Sequence, residues 1–127
     1  MANSVGYHEA EDALSDKVKD DHRALTSMQE ELEAVDWYAQ RVAAATDTEL
    51  KQILGHNRDE EIEHFMMLLE WWRRRNPKVA LEVGERLETT GSIVAAEQAS
   101  KGDAADAAPA PGNGSLSIGS LKGGTSL

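Results

Sequence analysis

Apolar residues recur at alternating steps of four and three between residues 14 and 42. The apolar positions are Leu14, Val18, Leu25, Met28, Leu32, Val35, Ala39 and Val42, interrupted by Asp21. This spacing places them on one face of a helix, so it predicts one long amphipathic helix that ends near Ala45. The residues from Thr46 to Glu49 have the form of a capping box, in which Thr46 caps a second helix and Glu49 reaches back to it.

The second helix is predicted to run to about Arg75. Asn76 and Pro77 disfavour a continued helix, and the positive charges of the Arg73–Arg75 run suit the negative end of the helix dipole. Because only a few residues connect the two long helices, they are expected to form an antiparallel hairpin. The predicted fold class is therefore all-α. A lone helical hairpin leaves apolar surface uncovered unless it packs against something else.

A shorter C-terminal helix is predicted after the hairpin. Pro77 suits the first turn of a helix that continues through about Glu88 and is stopped by Gly91. Residues 93–99 are predicted to add one or two further turns. The helical domain is accordingly assigned to residues 1–100.

The composition changes after this domain. Residues 101–115 consist almost entirely of small and polar residues, which bury too little apolar area to offset their ordering entropy, so they are predicted to form a disordered linker. Some apolar character returns within residues 116–127, at Leu116, Ile118 and Leu121. This segment is either a tethered docking peptide or a frayed tail.

The apolar face of the second helix is interrupted by two ionisable residues. Glu61 and His64 are three residues apart on one face, at positions where the period requires apolar side chains. A buried, unpaired carboxylate is costly, so something must compensate it. On the first helix, Glu31 flanks the apolar face and can point toward the same interior. One Glu facing a Glu-x-x-His pair is half of the ligand set of helical di-iron carboxylate bundles.

Two copies of the chain would supply the complete ligand set. A twofold pair brings together two each of Glu31, Glu61 and His64, so the hairpin is predicted to dimerise into a ferritin-like four-helix bundle. Four carboxylates balance the formal charge of two Fe(II) ions, so metal should promote pairing. The ordinary alternative is that the Glu and His residues are solvated on an exposed helix face.

Charge and composition narrow the possible partners. The formal net charge of −10 disfavours binding to nucleic acid, although acidity by itself often reflects only solubility. The chain contains no cysteine, which excludes disulfides and thiolate metal sites and leaves oxygen and imidazole ligands. No apolar run is long enough for a membrane span and the start lacks the features of a signal peptide, so a cytoplasmic protein is expected.

Two long stretches resemble a known family. They are MQEELEAVDWYAQRV at residues 28–42 and HNRDEEIEHFMMLLEWWRRR at residues 56–75. Both are similar to the two signature helices of the encapsulated ferritins, the iron-oxidising cargo of encapsulin nanocompartments, and the resemblance covers about residues 8–99. It implies a two-helix protomer, a di-iron ferroxidase centre between paired chains, and a ring-shaped decamer.

The resemblance also implies roles for particular residues. The iron ligands that it implies are Glu31, Glu61 and His64, with Tyr38 beside the centre. It implies an iron access route at Glu30, Glu33 and Trp37, and a peripheral cation site at His56, Glu60 and Glu63. Without the resemblance, these outer residues are more simply a solvated helix face, and Trp37 a packing residue. Tyr38 is either a packing residue or a hydrogen-bond partner of a ligand carboxylate.

The end of the chain carries a further resemblance. LSIGSLK, at residues 116–122, resembles the family's encapsulin-targeting peptide, which docks on the inner wall of the shell. It departs from the family in the five residues GGTSL that follow. The implied function is oxidation of Fe(II) with O2 and delivery of iron for storage in the lumen of an encapsulin compartment. The alternatives are a non-catalytic helical cation-binding or interaction module, and a di-manganese or di-iron enzyme that detoxifies peroxide.

Overall fold

The computed structural model describes the backbone of residues 6–106 and the side chains of residues 6–102. A short 3₁₀ turn at Glu11–Ala13 precedes four helices: α1 (Asp16–Ala44), α2 (Thr48–Arg75), α3 (Pro77–Arg86) and α4 (Ile93–Asp106). The described residues contain no strand, which confirms the all-α prediction. None of the described helices combines the length and apolar character needed to cross a bilayer.

Side-chain caps define where α1 and α2 begin. The Ser15 hydroxyl accepts a hydrogen bond from the Val18 amide at 3.1 Å at the start of α1. At the start of α2 the Asp47 carboxylate accepts from the Leu50 amide at 2.8 Å. The prediction that Thr46 caps α2 was therefore wrong. The charged carboxylate at the next position reaches the same kind of amide and also interacts favourably with the helix dipole.

The two long helices form the predicted antiparallel hairpin. Near the turn, the Lys51 ammonium on α2 donates to the carbonyl oxygens of Val42 at 2.7 Å and Ala45 at 3.2 Å. These bonds satisfy two carbonyls that the end of α1 leaves without helical partners. Farther from the turn, the Glu31 side chain on α1 meets His64 on α2. Residues far from the turn on α1 thus contact residues far from the turn on α2, as antiparallel axes require.

The hairpin has very little interior of its own. Among the described residues only Ala24 and Met28 are buried, each with 7% of its surface exposed. Large apolar side chains remain on its surface, namely Val18, Leu32, Trp37, Leu50, Ile53, Ile62, Met66 and Met67. A single copy therefore gains little hydrophobic stabilisation from folding, as expected of a chain this small.

The chain divides into two compact units, one ending at Trp72 and the other starting at Arg73. In the second unit, the Asn76 side chain caps α3 by accepting from the amides of Lys78 and Val79 at 2.9 and 3.2 Å. Pro77 occupies the first position of α3 as predicted. The helix ends at Arg86, two residues before the expected boundary, and the chain then turns through a left-handed conformation at Glu88 with φ of 62°.

Helix α4 is longer than the sequence indicated. It begins at Ile93, where the Ser92 hydroxyl accepts from the Ala95 amide at 3.1 Å, and continues to Asp106. The Arg86 guanidinium on α3 donates to the Ser100 hydroxyl at 2.7 Å, which joins the two helices. The helix thus extends into the segment predicted as a linker. The predicted targeting peptide at 116–127 lies outside the described residues.

Candidate metal centre

Three potential metal ligands meet across the hairpin. Glu31 lies near the middle of α1, whereas Glu61 and His64 lie one turn apart on α2. One ligand atom from each residue can be chosen so that all three atoms lie within 4.8 Å of one another. Within the described part of the chain, this is the only such group of three or more acidic or imidazole side chains. We refer to Glu31, Glu61 and His64 as the three-residue cluster.

The distances in the cluster leave space for a cation between its members. The His64 Nδ1 atom lies 3.3 Å from the Glu61 Oε1 atom and 3.7 Å from the Glu31 Oε1 atom. The imidazole therefore faces both carboxylates with the same nitrogen. Carboxylate oxygen and imidazole nitrogen are ligands that suit iron, manganese and zinc.

The Glu61 carboxyl affects the protonation of Glu31 across the hairpin. A hydrogen bond with Glu61 raises the pKa of the Glu31 carboxyl, and partial burial and the Glu61 charge act in the same direction. The charge of His64 opposes this effect, and that of Glu30 adds to it. The Glu31 carboxyl thus favours protonation more than a solvated glutamate does. A bound cation would favour its charged form instead.

The cluster is open to solvent on one side. The side chains of Glu31, Glu61 and His64 retain 22%, 23% and 46% of their accessible surface. They form a shallow, half-buried group at the surface of the hairpin. Three ligand residues are too few to coordinate two metal ions, so a dinuclear site would need further ligands.

The other nitrogen of His64 faces a further carboxylate. The His64 Nε2 atom lies 3.8 Å from the Glu60 Oε1 atom, and the second Glu60 oxygen lies 3.6 Å from the His56 Nε2 atom. Two members of the implied peripheral site, His56 and Glu60, are therefore close together. The third member, Glu63, is exposed on α2 and lies outside the one three-residue group that the described residues form.

The residues implied in the access route lie on α1 around the cluster. Glu30 and Glu33 are exposed on either side of Glu31, and Trp37 keeps 49% of its surface accessible. Tyr38 is partly buried, and the Arg41 guanidinium lies 5.3 Å above the centre of its ring. The hydrogen bond from Tyr38 to a ligand carboxylate stays a prediction.

A groove beside the cluster was not predicted from the sequence. It has a volume of about 690 Å³ and extends from the cluster between α1 and α2. Its lining residues are Asp20, Arg23, Ala24, Ser27, Glu31, His64, Met67, Leu68 and Trp71. Helical spacing could have indicated part of it, because Ser27 lies one turn before Glu31, and Met67 and Leu68 one turn after His64.

Comparison with known protein families shows to which family the chain belongs. An EncFtn-like family model matches residues 6–90, which is more than half of the chain. The chain belongs to the EncFtn-like family. This confirms the resemblance predicted from the two helical stretches, both of which lie within the matched residues. EncFtn-like membership indicates a ferritin-like, iron-related function.

Individual relatives agree with the EncFtn-like assignment. The chain is 53% identical to an encapsulated ferritin-like protein of Rhodospirillum rubrum over 98% of this chain and 94% of that protein. It is 55% identical to a ferritin-like protein of Thermotoga maritima, over 56% of this chain and 62% of that one. A crystal structure of a Nitrosomonas europaea protein superposes with a TM-score of 0.67 at 56% identity, covering 69% of this chain and 97% of that chain.

Proposed function

We propose that this protein is a ferroxidase that oxidises Fe(II) to Fe(III) with O2 at a centre shared by two copies of the chain. The observation that carries the proposal is the three-residue cluster, whose ligand atoms converge within 4.8 Å on an exposed side of the hairpin. Glu31, Glu61 and His64 would each bind iron, and the twofold copy would supply the same three residues again.

The negative charge of the three-residue cluster supports the proposal that two chains share the centre. Two copies of Glu31 and Glu61 carry four negative charges, which neutralise two Fe(II) ions in a site that pairing removes from water. The exposed apolar side chains of the hairpin, including Leu32, Ile62 and Met66, give the second copy a surface to cover. We propose that such pairs assemble further into a ring-shaped decamer.

The proposed reaction takes one electron from each iron. Two Fe(II) ions and two protons reduce one O2 molecule to H2O2 and leave two Fe(III) ions as product. The protein residues hold the two substrate ions close together in a fixed geometry, so that both electrons reach the same O2 molecule. Oxidation adds two positive charges that the four carboxylates do not balance, which favours release of the product.

Anaerobic addition of Fe(II) tests whether the centre is shared. Two Fe(II) ions per two chains are expected to convert metal-free protein into larger species that carry two irons for each pair. Native mass spectrometry measures the mass and the iron content together. A His64→Ala control should neither retain the two irons nor change in mass, because both copies of that ligand are lost.

Two outcomes would contradict the shared centre. A single chain that retains two irons by itself would show that no partner is needed. Pairs that form to the same extent without metal, and whose mass distribution iron leaves unchanged, are what a non-catalytic interaction module predicts.

The same ligand set also favours a second candidate, because imidazole and carboxylate ligands suit manganese as well as iron. A peroxide-detoxifying enzyme would use H2O2 as its oxidant. Initial rates of Fe(II) oxidation should therefore be compared with O2 alone and with an equal concentration of H2O2 in the absence of O2. The ferroxidase proposal predicts the faster rate with O2, and a clearly faster anaerobic rate with H2O2 would favour the peroxide-detoxifying function.

We further propose that the protein works in the lumen of an encapsulin shell. The similarity to an encapsulated ferritin-like protein over nearly the whole chain supports this location. Residues 116–122 are proposed to dock on the inner wall of the shell. We propose that mineral is stored in the shell and not within the paired hairpins.

A further inference from the structure

The Glu60 carboxylate lies between two imidazole rings, beside the three-residue cluster. Its Oε1 atom is 3.8 Å from the His64 Nε2 atom, and its Oε2 atom is 3.6 Å from the His56 Nε2 atom. The three residues follow one another at steps of four along α2, so they occupy successive turns of the same face. Because each oxygen faces a different ring, Glu60 keeps both contacts at once.

The two nitrogens of His64 have different surroundings. Its Nδ1 atom faces the carboxylates of Glu61 at 3.3 Å and Glu31 at 3.7 Å, whereas its Nε2 atom faces Glu60. A neutral imidazole carries its proton on one nitrogen and a lone pair on the other. A metal held between Glu31 and Glu61 needs the lone pair of Nδ1, so the proton must be on Nε2. Without a metal, Glu61 lies within hydrogen-bond distance of Nδ1, at 3.3 Å, and favours the other tautomer. With a metal on Nδ1, the carboxylate beside Nε2 stabilises the Nε2 proton.

On its Nδ1 side the ring of His64 contacts Glu61 and Glu31, but packing restrains it only partly. About half of the side chain is exposed, at 46% of its accessible surface. The χ2 angle of histidine has a broad, roughly twofold energy profile, so an unrestrained ring can rotate and exchange the positions of its nitrogens. The Glu60 carboxylate, one turn before His64 on the same helix and 3.8 Å from Nε2, opposes this rotation by attracting the Nε2 proton.

We propose that Glu60 is a positioning residue that holds His64 as the Nε2–H tautomer, with Nδ1 directed at the shared metal centre. This inference rests on the proposed function, because it requires His64 to be a metal ligand. It differs from a role in the peripheral cation site, in which Glu60 would act together with His56 on a separate ion.

Cobalt(II) is a suitable probe because it binds oxygen and nitrogen ligands without being oxidised by air on the timescale of a titration, and its visible spectrum reports its coordination. Glu60→Ala is expected to weaken Co(II) binding at the centre by about 10- to 100-fold, the usual effect of removing a hydrogen-bond partner from a ligand histidine. Glu60→Gln should restore most of the affinity and the wild-type spectrum, since the amide oxygen still accepts from Nε2–H.

Two control variants separate the possible causes. His56→Ala removes the partner of Glu60 in the peripheral site and should leave the Co(II) affinity of the centre almost unchanged. Asp59→Ala removes an equal charge from the neighbouring position, where the carboxylate is paired with Arg58 at 3.1 Å, and it should also have little effect. A fall in affinity with Asp59→Ala equal to that with Glu60→Ala would assign the effect to net charge and overturn the inference.

The contact can also be measured directly. In protein loaded with Zn(II), which is diamagnetic, nitrogen-15 NMR follows the Nε2–H group of His64. Its proton is expected to exchange slowly with solvent in the wild type and in Glu60→Gln, and faster in Glu60→Ala. An unchanged exchange rate and unchanged Co(II) affinity in Glu60→Ala would overturn the inference, and so would an equal loss of affinity in His56→Ala.

The titration also distinguishes this inference from the function on which it rests. A wild-type Co(II) spectrum that His64→Ala leaves unaltered would overturn the proposed centre and the role of Glu60 with it. A spectrum that depends on His64 but not on Glu60 would overturn the role of Glu60 alone.

Discussion

Alanine at His64, Glu31 or Glu61 is expected to slow aerobic Fe(II) oxidation by about 100-fold or more. In a twofold pair each substitution removes two ligands at once, one from each copy. A loss of about 3 kcal/mol in stabilisation of the transition state is sufficient for this decrease, at about 1.4 kcal/mol for each factor of ten. The glutamate variants also leave two iron charges without compensation. Initial rates of Fe(III) formation at equal protein concentration measure the effect.

Two variants elsewhere on the same helices provide matched controls. Asp36→Ala removes a carboxylate of α1 that accepts a hydrogen bond from Gln40 at 3.1 Å, and Asp59→Ala removes one of α2 that is paired with Arg58. Both change the net charge as the glutamate variants do, and both should retain rates near that of the wild type. Wild-type rates in all three ligand variants would end the ferroxidase proposal.

Deletion of the chain after Gly114 is expected to abolish loading into a co-expressed encapsulin shell and to leave ferroxidase activity intact. The deleted residues include the apolar side chains Leu116, Ile118 and Leu121, whose burial on the shell wall would provide most of the docking energy. The cluster lies on the helical hairpin, far along the chain from the deletion. The ratio of cargo to shell protein in purified particles measures loading.

A shorter deletion serves as the control for this experiment. Removal of residues 123–127 takes away the GGTSL sequence and keeps residues 116–122, so loading should persist. Normal loading of the chain that stops at Gly114 would show that the shell recognises another part of the protein. A loss of iron oxidation in that chain would instead assign the tail a structural role.

Periodicity predicted the hairpin because helical spacing is a property of neighbouring residues. The same argument selected Glu31, Glu61 and His64. Glu61 and His64, one turn apart, interrupt an otherwise apolar face of the second helix, and Glu31 flanks the apolar face of the first. The choice of Asp47 over Thr46 as the cap could not be made from the pattern, because both residue types are good caps and the helix start decides between them.

The remaining differences arise from contacts between residues that are distant along the chain. The composition predicted that the last helix ends at about residue 99, whereas α4 continues to Asp106. A hydrogen bond between Arg86 and Ser100 joins α4 to α3. The position of Glu60 between two imidazoles follows from side-chain orientation, which spacing alone does not fix. The groove beside the cluster likewise depends on how closely α1 and α2 approach each other.

A hairpin whose interior consists of Ala24 and Met28 has a short expected lifetime in the cell while it is unpaired. Proteases cut chains that open transiently, and a protein with so little buried surface opens often. If copies pair as proposed, a newly synthesised copy would survive longer the sooner it meets another. The amount of protein that accumulates would then rise more steeply than its rate of synthesis, and scarce copies would be cleared before they encounter iron.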